Sequence, residues 1–599
     1  MRREVLGGAL LGLVVLAGYV WSGHLWIDVV DEGYFLDLAD RVSTGALPYR
    51  DFATYYTPGI FYLFAVVLKV FGASVLPIRY VMAGLRAAAA VLMFSLTRRV
   101  APWPWALAPV VVLLALDHWP IEPEPHPSWP AVVACLATLD AVARHSGSGK
   151  MRWLGVAGAL VGVSFLFKQN VGAFTALGVA GYVVLRPRAR GGRILRWTQV
   201  LFALAVAVAV SAFLWPGMDG RLALALWLPV LLAVAIASGV GLMGNPRETD
   251  RVGPGEIVRE AIAACAGFGI VTVAWLLPLA LALGPSEIPV GLFLGEVDPR
   301  GLAIGFDPPG LDRLHLYLPA LAAWAGIAAL IATRTKGVQT WYVLFGALTL
   351  LSMYPRADSA HALVAAPPIL VAAAWALARV RPRLLAVALL GVPLLAVVPQ
   401  VAWRADLLRQ EAYAPLWLAR AENILVPVTT ADDTRGVVDF VRGNTAPGAP
   451  LFVYPAAPLL NFLAERPNPT RFEHFLPGTL TQSDFEMAIA ELEQARPRYV
   501  IWDHRGVVVW GTDPANRPLS DYLWTCYHQV AAFNLYLVLE RRTDLSTPCG
   551  MPARSEPTRP LLTAATRLRS ENFLFLGAVT RIEPRSGGEA LCRANSSCH

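Results

Sequence analysis

The sequence predicts a mainly α-helical, polytopic membrane protein with about thirteen transmembrane helices, juxtamembrane helices in the first exterior loop, and a small C-terminal α/β domain. Composition is the first observation, since 56% of the 599 residues are hydrophobic and only 16% are charged. Soluble domains carry about 25% charged residues. The second observation is that apolar stretches of roughly 17–25 residues, long enough to cross a bilayer as helices, recur along the first two thirds of the chain. The third is the charge of the loops between them.

The first apolar run sets the orientation. Arg2 and Arg3 place the N-terminus inside, and the first span is expected at about 5–27. A cleaved signal peptide is less favoured, because the run is long, lacks a clear small-x-small cleavage site and leads into more membrane sequence. The next segment, 55–72, is apolar but short. We expect it to lie along the outer surface as juxtamembrane helices, before a second span at about 74–96.

The later loops alternate in charge. Loops expected inside carry the basic residues Arg98, Arg99, Arg144, Lys150, Arg152, Arg186, Arg188, Arg190, Arg193, Arg196, Arg247, Arg251, Arg334, Lys336, Arg381 and Arg383. Loops expected outside carry the acidic residues Asp117, Glu122, Glu124, Glu287, Glu296, Asp298, Asp307, Asp312 and Asp358. This alternation predicts a transmembrane domain over 1–403, its last span near 384–403, in the plasma (inner) membrane. The net charge of +7 follows from this topology, so no nucleic-acid partner is expected.

The C-terminal region is expected outside as a small α/β domain over 404–549, followed by a poorly ordered tail over 550–599. Hydrophobic periodicity predicts helices at 434–441 and 483–494, and strands at 450–454, 498–502 and 534–539. Four of the six cysteines, Cys526, Cys549, Cys592 and Cys598, lie in this exterior region, where disulfides persist. Three pairings are possible. We expect Cys526–Cys549, because one strand and a short return separate the two residues.

Four groups of polar residues are expected on the exterior face, where they can converge. They contain Asp31, Glu32 and Tyr34, with Tyr56 further along the same loop; Asp117, Glu124 and His126 in a proline-rich loop; Lys168 and Gln169; and Arg356, Asp358 and His361. An acidic pair beside a membrane span is costly and therefore a functional candidate. An arginine at the bilayer surface suits a phosphate, because its planar guanidinium binds two oxygens at once.

Each group also has a structural interpretation. Asp31 and Glu32 could be ordinary acidic loop residues, Lys168 a snorkelling side chain, and Arg356 with Asp358 a structural ion pair. The proline-rich loop at 117–130 could hold a divalent metal through its glutamates and histidines, or it could be a stiffened connector. No residue is assigned as a metal ligand, because the chain has no CxxC or His/Cys zinc spacing.

An exterior carboxylate beside exterior cations at membrane depth suits a polyprenyl-phosphate sugar donor. The phosphate would lie at headgroup level and the lipid in the bilayer. A carboxylate would take the proton of an acceptor hydroxyl that attacks the anomeric carbon, and the cations would stabilise the departing phosphate. A single displacement inverts the anomeric centre. The acceptor could be a lipid, a glycan or a protein.

Several motifs resemble those of the C-type membrane glycosyltransferases, in particular the bacterial branch related to protein mannosyltransferases and lipid A aminoarabinose transferases. They are Asp31-Glu32 followed by the stretches 45–51 and 56–59, then 167–170, 354–356 and 466–471. The resemblance covers nearly the whole chain. It implies that Asp31 is the catalytic base, that juxtamembrane helices follow the first span, and that a second acidic exterior loop exists, loosely matched by 117–126. Glu32 would position Asp31 or the acceptor.

Two other functions fit the same composition. A lipid-linked glycan ligase or polymerase would also use a polyprenyl carrier. A transporter would more often show paired repeats and broken spans at the bilayer midplane, and the sequence shows neither.

Overall fold

The computed structural model describes residues 2–117, 126–187, 193–242, 254–284, 306, 313–381, 383–476, 479–507, 516–544 and 549. The chain falls into two compact units, 1–551 and 552–599, and the second lies outside the described residues. The predicted tail over 550–599, with Cys592 and Cys598, lies outside the described residues.

The first two thirds of the chain are helical. The helices are α1 (Arg2–Ser22), α2 (Asp31–Ser43), α3 (Gly59–Phe71), α4 (Val75–Arg98), α5 (Trp103–Leu116), α6 (Ser128–Ser148), α7 (Arg152–Phe167), α8 (Gln169–Leu185), α9 (Arg193–Leu214), α10 (Gly220–Leu222), α11 (Leu228–Leu242), α12 (Pro254–Leu283), α13 (Leu318–Thr333), α14 (Val338–Thr349), α15 (Ser359–Leu377) and α16 (Arg383–Gln410). A π-helical turn, Ala223–Trp227, joins α10 to α11, and short 3₁₀ turns occupy Trp215–Gly217, Leu314–Tyr317 and Leu350–Met353.

Seven helical segments among the described residues are long and apolar enough to cross a membrane. They are Glu4–Ser22, Val75–Arg98, Arg193–Gly217, Gly220–Leu242, Gly255–Leu283, Leu314–Thr333 and Ser359–Leu377. Five shorter apolar segments accompany them: Gly59–Phe71, Trp103–Leu116, Arg152–Phe167, Gln169–Leu185 and Val338–Met353. The chain is thus a mainly α-helical, multi-pass protein, while the predicted number of thirteen spans is not confirmed.

The segment between α1 and α4 contains two short helices, as the sequence predicts. α3 has 13 residues, which makes it about 20 Å long, too short for a hydrocarbon core of about 30 Å. α2 is amphipathic, and most of its residues between Glu32 and Val42 are buried. Both helices belong to the main apolar core of the molecule.

The C-terminal region builds a small mixed sheet. Its elements are β1 (Tyr413–Pro415), β2 (Leu425–Pro427), α17 (Val428–Asn444), β3 (Leu451–Tyr454), α18 (Leu459–Ala464), α19 (Gln482–Ala495), β4 (Tyr499–Asp503), α20 (His504–Gly506), α21 (Arg517–Cys526), β5 (Tyr527–Ala532) and β6 (Tyr536–Arg541). The strand order is β3-β4-β6-β5, with β3 and β4 parallel and the other pairs antiparallel. All five predicted elements of this region are confirmed. The sequence did not predict β5 or α21, and α16 runs through the predicted domain boundary at 403/404.

The predicted disulfide is also present. Cys526 and Cys549 are bonded with their Cα atoms 5.9 Å apart, and both contribute to the apolar core of the C-terminal region. Cys135 and Cys265 are free thiols in α6 and α12. Cys135 is buried, and Cys265 is exposed.

The C-terminal region packs directly on the segment between α1 and α4. The Trp26 amide donates to the Leu425 carbonyl at 2.7 Å, and the Leu425 amide donates to the His24 carbonyl at 2.7 Å. Gly33 of α2 lies against α18 so closely that an added Cβ would come within 2.3 Å of the Leu459 nitrogen. The loop that carries Asp31 is therefore held between the helical bundle and the C-terminal region.

Candidate active site

Asp31 is the first residue of α2, and the turn before it is fixed by a neighbouring carboxylate. Asp28 accepts hydrogen bonds from the backbone amides of Val30 (2.9 Å) and Asp31 (3.1 Å). A side chain that bonds backbone groups two and three residues further on fixes such a turn. Burial raises the pKa of Asp31 above its usual value, although the positive charges of Arg356, His361 and Lys168 act in the opposite direction.

Residues from distant parts of the chain meet around Asp31. Lys168 lies in the turn between α7 and α8, and Arg356 and Asp358 come just before α15. Their charges, with that of His361, all act on the Asp31 carboxyl group. His126, at the start of α6, is in turn affected by the charges of Lys168, His361 and Asp358. The structure thus brings together members of all four groups that the sequence singles out.

In the segment before α15, Asp358 holds the side chain of Arg356 in place. Arg356 donates through Nε to Asp358 Oδ2 at 3.2 Å. The other Asp358 oxygen accepts from the His361 amide at 2.9 Å and lies 2.7 Å from His361 Nδ1. Burial opposes the ionisation of Asp358, but His361 and Arg356 hold its pKa well below the usual range. Within the described residues the two terminal nitrogens of Arg356 have no hydrogen-bond partner, so that edge is available for a ligand.

Lys168 heads a chain of hydrogen bonds into the first turn of α6. Its Nζ donates to Ser128 Oγ at 2.7 Å, and Ser128 Oγ lies 2.6 Å from His126 Nδ1. Lys168 is buried, so its amino group does not reach out to solvent as a snorkelling lysine would. Burial lowers the pKa of Lys168 to about 8. Burial, followed by the charge of Lys168, lowers the pKa of His126 well below its usual value, so His126 is neutral at pH 7.

Aromatic side chains line the space beside Asp31. The Tyr34 hydroxyl donates to Thr54 Oγ1 at 2.8 Å, and the Tyr56 ring packs edge-on against His126 with ring centres 6.0 Å apart. Gln169 donates through Nε2 to the Tyr55 carbonyl at 2.6 Å. Burial, followed by the Asp31 charge, raises the pKa of Tyr55 to about 12. Sequence reasoning missed Tyr55, although it stands next to Tyr56.

His474 is a second residue that the sequence did not indicate. Its ring stacks on Tyr34 with ring centres 4.6 Å apart and planes 16° from parallel, which brings the C-terminal region to the wall of the site. Burial lowers the pKa of His474 to about 4, so it is an uncharged stacking partner. No local sequence pattern predicts a contact between residues 440 positions apart.

Glu32 has a different environment from Asp31. Both of its oxygens accept from the Arg79 guanidinium, at 2.7 Å from Nε and 2.6 Å from Nη2, and both side chains are buried. Arg79 also donates to the carbonyls of Gly23 (2.7 Å) and Trp26 (2.8 Å). Glu32 therefore joins α2 to α4 and to the end of α1, and its carboxylate is not open to a substrate.

Asp117 is occupied in the same way. Its Oδ2 accepts from Arg86 Nε at 3.1 Å and from the Tyr19 hydroxyl. The Arg86 guanidinium also lies between the rings of Tyr19 and Trp129, 5.0 and 4.7 Å from their centres. Arg79 and Arg86 are seven residues apart on α4, which puts both on one face of that helix. The sequence did contain a signal for these partners, because two arginines inside an apolar helix need buried anions.

Among the described residues, no group of three potential metal ligands lies around Asp31. Glu124, with the rest of 118–125, lies outside the described residues. Where the chain is described, three potential ligands come together only at Glu493, Cys526 and Cys549, and the two sulfurs there form the disulfide. Arg356 and Lys168 supply positive charge beside Asp31.

Comparison with protein-family models finds no match, and comparison with curated protein sequences finds none either. Among solved structures, the chain is similar to the oligosaccharyltransferase AglB from Archaeoglobus fulgidus, in complex with an inhibitory peptide and a dolichol-phosphate, at 14% identity over 90% of this chain and 75% of that one, with a TM-score of 0.45. It is also similar to ArnT from Cupriavidus metallidurans bound to undecaprenyl phosphate, at 14% identity over 91% of this chain and 99% of that one, with a TM-score of 0.36. Both are membrane glycosyltransferases of the C-type fold, which the sequence resembles.

Proposed function

We propose that this protein is a membrane glycosyltransferase that moves a sugar from a polyprenyl-phosphate donor to an acceptor hydroxyl on the extracytoplasmic face of the plasma membrane. The observation that carries the proposal is the position of Asp31. Among the described residues no arginine forms an ion pair with the Asp31 carboxylate, in contrast to those of Glu32 and Asp117. The positive charges of Arg356 and Lys168 nevertheless act on it. A base next to a cationic phosphate site is what glycosyl transfer from a lipid phosphate requires.

The reaction would be one displacement at the anomeric carbon. Asp31 takes the proton of the acceptor hydroxyl while its oxygen forms the new bond to the anomeric carbon. The bond from that carbon to the phosphate oxygen breaks, and its electron pair leaves with the polyprenyl phosphate. Attack from the opposite face inverts the anomeric centre. The raised pKa of Asp31 suits this role, because a general base works best when its pKa approaches the working pH.

The cations would hold the phosphate before and after transfer. Arg356 is fixed by Asp358 through Nε only, so its two terminal nitrogens can bind two phosphate oxygens. Lys168 adds a second positive charge, and His361 is held beside them by Asp358. Low local dielectric strengthens all of these interactions.

The remaining residues would shape the site. Tyr34 and Tyr56 form an aromatic wall with His126, and Gln169 supports Tyr55 through its carbonyl. Glu32 and Asp117 are positioning residues in this scheme, because their carboxylates bind Arg79 and Arg86. Glu32 fixes the helix whose first residue is the base.

The proposal is tested by lipid-phosphate binding. Undecaprenyl phosphate should raise the melting temperature of the purified protein in detergent, whereas undecaprenol, which has the same chain without phosphate, should not. Arg356→Lys and Lys168→Ala should weaken this stabilisation, while Asp31→Asn should keep it. Arg196→Lys, at an exposed arginine of α9, is the matched control. Equal stabilisation by both lipids would refute a phosphate site, and mass spectrometry of copurifying lipid would identify the natural donor.

A further inference from the structure

A groove between α7 and α12 lies far from the candidate active site. Its volume is about 540 Å³, and small residues line it, among them Gly155 and Ala159 of α7 and Ala263, Ala266 and Gly267 of α12. The groove is at the beginning of α7, whereas Lys168 follows its end. Arg152, at the far end of the groove, lies roughly 24 Å along the helix from Lys168, and Ala159, at its near end, lies roughly 14 Å from it.

The groove exists because two helices touch through their backbones. A Cβ added at Gly158 would lie 1.8 Å from the Ala264 carbonyl oxygen, and one at Gly267 would lie 2.0 Å from that of Gly155. Small residues allow membrane helices to approach in this way. Space remains beside this close contact between the two helices, since a Cβ added at Gly155 would meet only the Ala263 oxygen, at 3.7 Å.

The groove opens to the side of the bundle that faces lipid. Ile270, which lines the groove, and Ile262, next to the groove residue Ala263, are 73% and 61% exposed. In a membrane protein a surface of this kind is covered by acyl chains. Apolar contact alone therefore predicts that some lipid occupies the groove.

Two arginines at one end of the groove would make it selective for lipids with an anionic headgroup. Arg152 lines it, and Arg259 lies one turn before Ala263 on the same face of α12. Both are exposed, and neither forms an ion pair with a described residue. Four other arginines at this end of the bundle form ion pairs with carboxylates: Arg98 with Glu4, Arg99 and Arg144 with Asp140, and Arg186 with Glu256 and Glu260.

An aromatic residue indicates the depth of these cations. The Trp153 ring lies under two guanidinium groups, 5.0 Å from that of Arg144 and 5.1 Å from that of Arg152. Tryptophan is enriched at the membrane–water interface, at the level of the lipid headgroups. A phosphate at this level would be within reach of Arg152.

We propose that the groove binds an acyl chain of an anionic glycerophospholipid whose phosphate contacts Arg152 and Arg259. A zwitterionic lipid carries a positive charge in its own headgroup, which compensates the charge of its phosphate. Two arginines without an ion-pair partner among the described residues therefore favour a lipid whose headgroup has a net negative charge. The site is independent of the proposed transferase activity, because it uses none of the residues near Asp31.

Native mass spectrometry of the detergent-solubilised full chain tests the site. Phosphatidylglycerol and phosphatidylcholine with identical acyl chains are titrated separately. The protein should bind phosphatidylglycerol about tenfold to thirtyfold more tightly, as expected for two arginines at the headgroup. Arg152→Ala with Arg259→Ala should remove this preference, whereas Arg193→Ala with Arg196→Ala, a matched loss of two exposed cations on α9, should keep it.

A second pair of variants tests the groove itself. Gly155→Leu should fill it and weaken the binding of both lipids about tenfold, and Ala266→Leu should do the same from the other wall if Gly155→Leu does not fold. Equal affinity of the unmodified protein for the two lipids would overturn the proposal. So would an equal loss of preference in the Arg193/Arg196 variant, which would show a general surface charge effect.

Discussion

At the scale of single residues, the neighbours Asp31 and Glu32 have opposite environments. Both carboxylate oxygens of Glu32 bond Arg79, so the charge of Glu32 stabilises the fold. The Asp31 carboxyl group is affected by the charges of Lys168, Arg356 and His361. Among the described residues no arginine bonds both of its oxygens, as Arg79 does for Glu32, so this carboxylate can accept a proton. The sequence shows two adjacent acids, and only their partners in the structure separate the proposed base, Asp31, from the proposed positioning residue, Glu32.

Asp31→Asn keeps the size of the side chain and removes its basicity. If Asp31 is the base, sugar transfer should fall by at least the roughly 10²–10⁴-fold attributed to general bases, measured with a radiolabelled lipid-linked donor in proteoliposomes. Binding of undecaprenyl phosphate should survive. In the unmodified protein, activity should decline as the pH falls through the raised pKa of Asp31. Turnover close to normal in the variant would eliminate Asp31 as the base.

Glu32→Gln should act on stability more than on chemistry. It leaves the buried Arg79 charge without an anion, and breaking a buried ion pair from one side costs about 3–5 kcal/mol. The melting temperature in detergent should therefore drop markedly. Asp432→Asn is the control, because Asp432 pairs with Arg435 at the surface, where such pairs contribute about 0–1 kcal/mol. A similar small effect in both variants would contradict the buried-pair assignment.

Asp37 gives a prediction about pH. Burial and the negative charge of Glu473 raise the pKa of Asp37 well above its usual value, so the folded protein holds a proton that the unfolded chain releases. Stability contributed by this proton is present at low pH and is lost as the pH rises through the folded-state pKa. Asp37→Asn should therefore flatten the fall in melting temperature with rising pH. An unchanged pH dependence in the variant would contradict this assignment.

At the scale of helices and strands, the sequence predicted most of what positions the site. The short apolar segment at 55–72 indicated a surface helix, and α3 is indeed too short to span. Loop charge put the turns holding Asp31, Lys168 and Arg356 on one face, and the structure brings these side chains together. The span count was not confirmed, because several apolar helices are shorter than a bilayer needs. Tyr55 and His474 were missed, because their contacts depend on tertiary packing.

Gly33 tests the contact between α2 and α18. An added Cβ would meet the Leu459 nitrogen at 2.3 Å and its Cα at 2.8 Å, and backbone cannot move aside as a flexible side chain can. Gly33→Ala should destabilise the protein by about 1–3 kcal/mol, the usual cost of overpacking. Gly443→Ala, in α17 with nothing within 4 Å of the new Cβ, should stabilise by about 0.5–1 kcal/mol. Thermal unfolding of both variants measures the contrast, and equal effects would refute the close packing.

At the scale of the whole molecule, the C-terminal region completes the site. Arg41 of α2 donates to Glu473 and to the Thr470 carbonyl, and His474 stacks on Tyr34. One short stretch of the C-terminal region thus contacts the same helix that begins with Asp31. Without the C-terminal region, one side of α2 would be uncovered. The site therefore depends on the C-terminal region as well as on the helical bundle.

The common exterior face is the premise that joins all of these residues, and cysteine labelling tests it. In a background where Cys135, Cys265, Cys592 and Cys598 are replaced by alanine, single cysteines are introduced at the exposed positions Arg152, at the start of α7, and Asp432, in α17. The positive-inside pattern puts Arg152 in the cytoplasm and the C-terminal region outside. An impermeant thiol reagent added to intact spheroplasts should therefore label Asp432→Cys and not Arg152→Cys, and permeabilised cells should label both. Lys168 is at the opposite end of α7 from Arg152, so labelling of Arg152→Cys in intact spheroplasts would put Lys168 inside and separate it from a base on the exterior face.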